Sequence, residues 1–208
     1  WWPDEKKFPE GLGELVAHVN NLGMEFGIWF EPEMINPDSE LYRQHPDWVL
    51  HSGASTPITG RNQLVLDMSK NEVRKYLFNC ISQLLDAHDI SYVKWDHNRD
   101  LVASPAHAQT LGTYELLGQL KETHPWVQFE SCASGGGRVD FGILPFVDRF
   151  WTSDSIDPLD RTLIQRGAQR LMPPEVLGTH IGSPINHITQ RRHSLAFRAS
   201  TALFGWLG

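Results

Sequence analysis

Along the whole chain, short apolar runs that end in clustered polar side chains alternate with segments whose apolar residues repeat at helical spacing. This alternation constrains the fold more than any single motif, because β and α signals in turn are the pattern of a parallel sheet with crossover helices. Leu12, Leu15, Val16, Val19 and Leu22 keep helical spacing up to Gly23, and MEFGIWF then reads as a strand ending at Glu31. After a Pro-, Asp- and Ser-rich loop and a short strand-like LVLD at Leu64 to Asp67, Ser69 and Glu72 form a capping-box pattern. That pattern precedes a helix face of Val73, Leu77, Ile81, Leu84 and Leu85. YVKWD is the next strand; Leu111, Tyr114, Leu117 and Leu120 mark a helix; WVQFESC and RFWTSD are strands. Ile156 to Gln169 reads as helix, EVLGTHI as a weak strand, and Ser194 to Leu203 as a helix running into FGWLG.

The strand candidates end near Glu31, Asp96, Cys132, Asp154 and Ile181, and a sixth starts near Phe204. A doubly wound sheet is the structural rival, but the glycine fingerprint for dinucleotides is absent. Polar residues at the C-terminal strand ends favour a (β/α)8 TIM barrel, where active sites lie at that end. The expected fold is therefore α/β, an incomplete barrel of about six of eight βα units with the N-terminal strands missing, residues 1–208 forming one partial catalytic domain.

A net charge of −7 with interspersed signs argues against a nucleic-acid surface, and no apolar run approaches the length of a membrane-spanning helix. The N-terminal WWPDEKKFPE lacks the regions of a signal peptide, and two cysteines, Cys80 and Cys132, give a mild preference for a reducing, cytoplasmic compartment. His180, His187 and His193 lack the spacing of a metal motif, and DSIDPLD lacks the alternation and glycine of an EF-hand loop, so no metal is expected. Eight tryptophans are many for this length, and such rings can pack on sugars. Trp1, Trp2, Trp48 and Trp126 are better read as packing residues.

In YVKWDHNRD, strand alternation puts Lys94 and Asp96 on one face, joined by Asn98 if the chain stays extended, with Val93 and Trp95 on the other. Such a cluster is either a structural ion pair or the floor of a site. Asp154 in WTSDSID is a second strand-end carboxylate, and glycoside hydrolysis needs a pair: one ionised to attack the anomeric carbon, one protonated to assist the leaving group. Lys94 would favour an ionised Asp96, and the negative charge of Asp157 and Asp160, if close, would favour a proton on Asp154. Taken alone, Asp154 is better explained as a helix N-cap. The glycine-rich ESCASGGGR is a tight turn or a backbone cradle for a ligand such as phosphate, though the P-loop lysine is missing.

Together GIWFEPEM, GRNQLVLDMS, YVKWDHNRD, ESCASGGGRVDFG and WTSDSID, in this order, resemble the bacterial α-galactosidases of glycoside hydrolase family 36. The resemblance implies a (β/α)8 barrel between β-rich domains, hydrolysis of melibiose- and raffinose-type α-galactosides with retention, and no metal or organic cofactor. It implies Asp96 as nucleophile and Asp154 as acid/base. Galactose would be held by Arg61, Lys94 and Asn98 and packed by Trp29, with Cys132, Ser134, Gly135 and Trp151 around the pocket. Many members have glycine where this chain has Ala133 and Ser134, which puts the backbone contact at Ser134 in question. The family's upstream aspartate pair and flanking β domains are missing, so the chain is expected to be a fragment with little activity alone, from a parent that forms a homo-oligomer. Transfer to another sugar, an N-acetylgalactosaminidase, a Schiff-base aldolase using Lys94 and a non-catalytic sugar-binding remnant are the alternatives.

Overall fold

The structure, a computed structural model, describes residues 2–51, 56–101 and 106–207, which leaves Trp1 outside the described residues. The chain divides into two compact units, residues 1–128 and 129–208.

In the first unit, helix α1 (Gly13–Asn21) leads through Gly23 to strand β1 (Gly27–Phe30). β1 pairs in parallel with β4 (Tyr92–Trp95), Trp29 beside Lys94 and Phe30 beside Trp95. Val93 and Trp95 are fully buried, as the expected alternation requires. The LVLD segment is a side element: β3 (Leu64–Val65) pairs antiparallel with β2 (Met34–Ile35) over a small core of Met34, Leu50 and Val65. A five-residue helix, α2 (Glu40–Gln44), lies between them in sequence.

Helix α3 (Asn71–Ala87) buries Val73, Leu77, Ile81 and Leu85, each worth about 1.5–3 kcal/mol of transfer free energy. The expected capping box does not form. Lys70 is the N-cap, without a side-chain cap bond, because Ser69 turns back and donates from both its backbone N and its hydroxyl to Asp67. Helix α4 (Ala106–Thr123) also differs from expectation: Leu111 is exposed, and the packed face is Gln109, Gly112, Thr113, Leu116, Leu117 and Leu120. Gly112 fixes this rotation, since a Cβ there would lie 1.9 Å from Met68 O, and Gln109 exchanges hydrogen bonds with Met68 N and Leu66 O at 2.8 and 2.9 Å.

In the second unit, β5 (Gln128–Ser131), β6 (Arg149–Trp151), β7 (Leu177–Thr179) and β8 (Trp206–Leu207) run parallel in that order. Phe129, Phe150 and Leu177 are buried in this unit's core, and helices α5 (Pro158–Ala168) and α6 (Leu195–Ala202) pack on each other. Every one of the expected main strands is present, so the parallel α/β layout read from the sequence is the observed one.

Trp48 is buried, stacked on His45 at 3.9 Å, but Trp2 and Trp126 are exposed, contrary to the packing role expected of them. No helix is long and apolar enough to cross a membrane, among the described residues. Both cysteines are free thiols.

Candidate active site

The polar groups just past β1 and β4 form one cluster. Asp96 continues β4 by donating its backbone N–H to Phe30 O at 2.8 Å, and its side chain is 6% exposed. Its carboxylate accepts from Trp29 Nε1 at 3.1 Å, Asn98 Nδ2 at 2.7 Å and the backbone N of His97 at 2.9 Å. Three donors on a buried carboxylate favour its ionised form. Trp29 donates from its indole edge while 49% exposed, which leaves ring surface open beside the carboxylate. Lys94 stands next to Trp29 in the strand register.

Arg61 reaches this cluster through Glu31, just past β1: Arg61 Nη1 lies 3.1 Å from Glu31 Oε1, and Gln63 Nε2 donates to Glu31 Oε2 at 3.0 Å. Arg61 and Asn62 both adopt left-handed backbone (φ 53° and 59°), which costs about 1–2 kcal/mol per residue without glycine. Arg99 holds that turn in place, donating to Gln63 O and, at 2.9 Å, to Ile58 O. Beneath, the buried Glu33 accepts from Trp95 Nε1 at 2.8 Å and Thr113 Oγ1 at 2.9 Å, tying the residue before Asp96 to α4. Sequence reasoning missed Glu31 and Glu33, for which two acidic residues closing an apolar strand in FEPE were the available signal, and saw Arg99 in the polar cluster of YVKWDHNRD without giving it a role.

The second cluster follows β5 and β6. Cys132 is buried, and the turn after it closes with Ala133 N donating to Gly135 O and Gly137 N to Ala133 O, each at 3.0 Å. Ser134 takes φ 48° and Gly135 φ 83°, so the position at which a glycine was expected does use left-handed backbone. A Cβ on Gly135 would lie 2.8 Å from Ser153 Cα, and one on Gly136 2.5 Å from Thr152 O. The glycines are thus required for close approach of two loops.

Asp154 is exposed and accepts from Trp151 Nε1 at 3.0 Å. It is not the helix cap: α5 is capped by Asp157, whose side chain accepts from Leu159 N at 2.9 Å. Asp157 is fully buried among Thr189 Oγ1, Arg191 Nε at 3.2 Å and His193 Nε2 at 3.3 Å, while Asp160 pairs with Arg191 at 2.7 Å. The negative charge expected to act on Asp154 is therefore met by Arg191, which pairs with both Asp157 and Asp160. Burial opposes ionisation of Asp157, but the Thr189 and Leu159 hydrogen bonds and the Arg191 charge outweigh it and hold its carboxyl below the usual range.

Trp151, expected at the sugar, is 5% exposed, with Arg161 over its ring at 4.2 Å and His180 against it at 4.4 Å. What it offers is the hydrogen bond to Asp154. Burial pushes the Arg161 guanidinium down to about 10, against the pull of Asp154 and Glu130, so it stays protonated at neutral pH. Among the described residues, no group of three or more His, Cys, Asp or Glu is placed to hold a metal ion.

A parallel β/α layout with carboxylates just past strand ends is the arrangement of barrel enzymes, whose chemistry gathers at that end. The melibiase family model matches residues 1–208, and the chain belongs to that family. It is 52% identical to an α-galactosidase of Escherichia coli, aligned over all of this chain and 30% of that enzyme. Among solved structures it is similar to the family 36 α-galactosidase AgaA of Geobacillus stearothermophilus, with TM-score 0.95 and 41% identity over all of this chain and 31% of that one. A substituted form of AgaA, in complex with raffinose, matches with TM-score 0.94 and 40% identity over the same shares. The chain thus spans about 30% of the length of the relatives it matches.

Proposed function

We propose that this chain carries the reacting carboxylates of a retaining α-galactosidase acting on raffinose-type oligosaccharides. A retaining mechanism needs two carboxyl groups flanking the scissile bond, about 5–5.5 Å apart. In the first step an Asp96 oxygen attacks the anomeric carbon to form a galactosyl ester, as the bond from that carbon to the glycosidic oxygen breaks and Asp154 gives that oxygen its proton. In the second, water attacks the anomeric carbon, Asp154 takes the water's proton, and the bond from that carbon to Asp96 breaks so that Asp96 leaves as carboxylate. Trp29 packs on the sugar; Arg61, Lys94 and Asn98 bind its hydroxyls; Cys132, Ser134 and Gly135 border it; Trp151 acts through Asp154.

The observation that carries this reading is the carboxylate of Asp96, gripped by three donors beside the open ring of Trp29. It is supported by relatives named as α-galactosidases and by AgaA complexes with raffinose and stachyose. No relative named here supports the Schiff-base alternative, which would use Lys94 as an amine nucleophile. The test is trapping with a fluorinated galactosyl donor followed by peptide mapping. A label on Asp96 is expected; a label on any other residue, or borohydride trapping of substrate on Lys94, overturns the assignment.

A further inference from the structure

The loop Thr152–Ser155 is held from two sides. On one, the backbone at Gly135 and Gly136 presses against it so closely that no side chain fits. On the other is Arg161, in the first turn of α5 and 4% exposed. Its Nε donates to Ser155 O at 2.6 Å, Nη2 to Ser153 O at 2.6 Å and Nη1 to Thr152 Oγ1 at 2.8 Å. The same guanidinium covers the ring of Trp151, which hydrogen-bonds Asp154 Oδ1.

Burying a guanidinium is costly, and here its fork is used on a hydroxyl and two carbonyls. Those carbonyls belong to the residues immediately before and after Asp154. One buried charge therefore fixes the backbone on both sides of the Asp154 carboxyl and the ring that orients it. Lysine, a point charge without the planar fork, cannot make this set of contacts together.

We infer that Arg161 is a positioning residue for Asp154, aligning its carboxyl for proton delivery to the leaving-group oxygen. The inference rests on the acid/base reading of Asp154. Proton delivery governs cleavage when the leaving group is a sugar alkoxide, and matters little when it is a nitrophenolate. Misalignment of Asp154 therefore separates the two substrates, whereas a general loss of structure lowers both together.

The experiment compares Arg161→Lys, Thr152→Val and Asp154→Ala in the full reading frame, on raffinose and on a nitrophenyl α-galactoside, with melting curves for each. Arg161→Lys is expected to lower kcat on raffinose by about 10²-fold, with KM nearly unchanged and the first step on the nitrophenyl substrate nearly intact. Thr152→Val, which keeps Arg161 and removes one acceptor, is expected to give a smaller split of the same sign, and it decides the matter if Arg161→Lys does not fold. Equal losses on both substrates in these variants, while Asp154→Ala shows the split, would overturn the positioning role and leave the acid/base reading standing. No split in Asp154→Ala itself would overturn both.

Discussion

Asp96 and Asp154 both follow a parallel strand, yet the protein holds them in opposite ways. Asp96 is buried and accepts from two side chains and a backbone amide, whereas Asp154 is exposed and, among the described residues, accepts from Trp151 alone. On the proposed reading Asp96 is the nucleophile, which must stay ionised and hold its position, and the three donors around it serve both needs. An acid/base must hand a proton out and take one back from water, which needs access. At Asp154 the rigidity is instead placed in the loop, through Arg161 and the glycine contacts, so that the backbone is fixed while the carboxyl stays open.

The sharpest way to break this contrast is Asp96→Ala. It should lower kcat/KM by ~10⁴-fold or more on every galactoside and abolish the covalent label, since removing the proposed nucleophile removes the whole proposed pathway. Near-normal turnover would end the comparison. Asp154→Ala should cost ~10²–10⁴-fold on raffinose, the usual worth of a general acid. On a nitrophenyl galactoside it should instead give a fast release of nitrophenol followed by slow turnover, and a stopped-flow trace without that burst would count against the role.

Smaller and more diagnostic is a pair of indole substitutions. Trp29→Phe removes one donor to an ionised group, about 1.5–3 kcal/mol, so kcat/KM should fall ~10–100-fold irrespective of leaving group. Trp151→Phe removes the donor to Asp154 and should act mainly on substrates with poor leaving groups. Identical profiles for the two variants would erase the functional distinction drawn between the buried Asp96 and the exposed Asp154.

Smallest is the pH dependence of folding. The native Asp157 carboxyl titrates below its unfolded value near 3.8, so its stabilisation is complete above that value and lost as pH falls through the native one. Asp157→Asn should flatten the acid side of a melting-temperature profile by a few degrees at most. An unchanged profile would show that the Thr189, Arg191 and His193 contacts do not depend on that charge.

Much of this was legible in the sequence, for identifiable physical reasons. Strands read as apolar runs, and the residues closing them placed Asp96, Asn98, Cys132 and Asp154 just past strand ends. Helix rotation was less legible: Leu111 and Leu117 are chemically alike, and the close approach of Gly112 to Met68 O, with the Gln109 hydrogen bonds to Met68 N and Leu66 O, sets which of them faces inward. Caps were misread because Asp154 and Asp157 are both aspartates ahead of one helix, and the choice depends on Thr189 and Arg191, more than 30 residues away. Glu33 was invisible for the same reason, its partner Thr113 being 80 positions on. Arg161 lies close in sequence to the loop it holds, but nothing in PLDRTLIQ separates an arginine turned inward from one turned to solvent.

The glycine run after β5 has a consequence for redesign. Gly135 and Gly136 leave no room for even a methyl group against Thr152 and Ser153, so a library that varies this turn gains nothing by randomising them. Diversity in this turn belongs at Ala133 and Ser134, where side chains already exist, with Ser134 limited to residues that tolerate left-handed backbone.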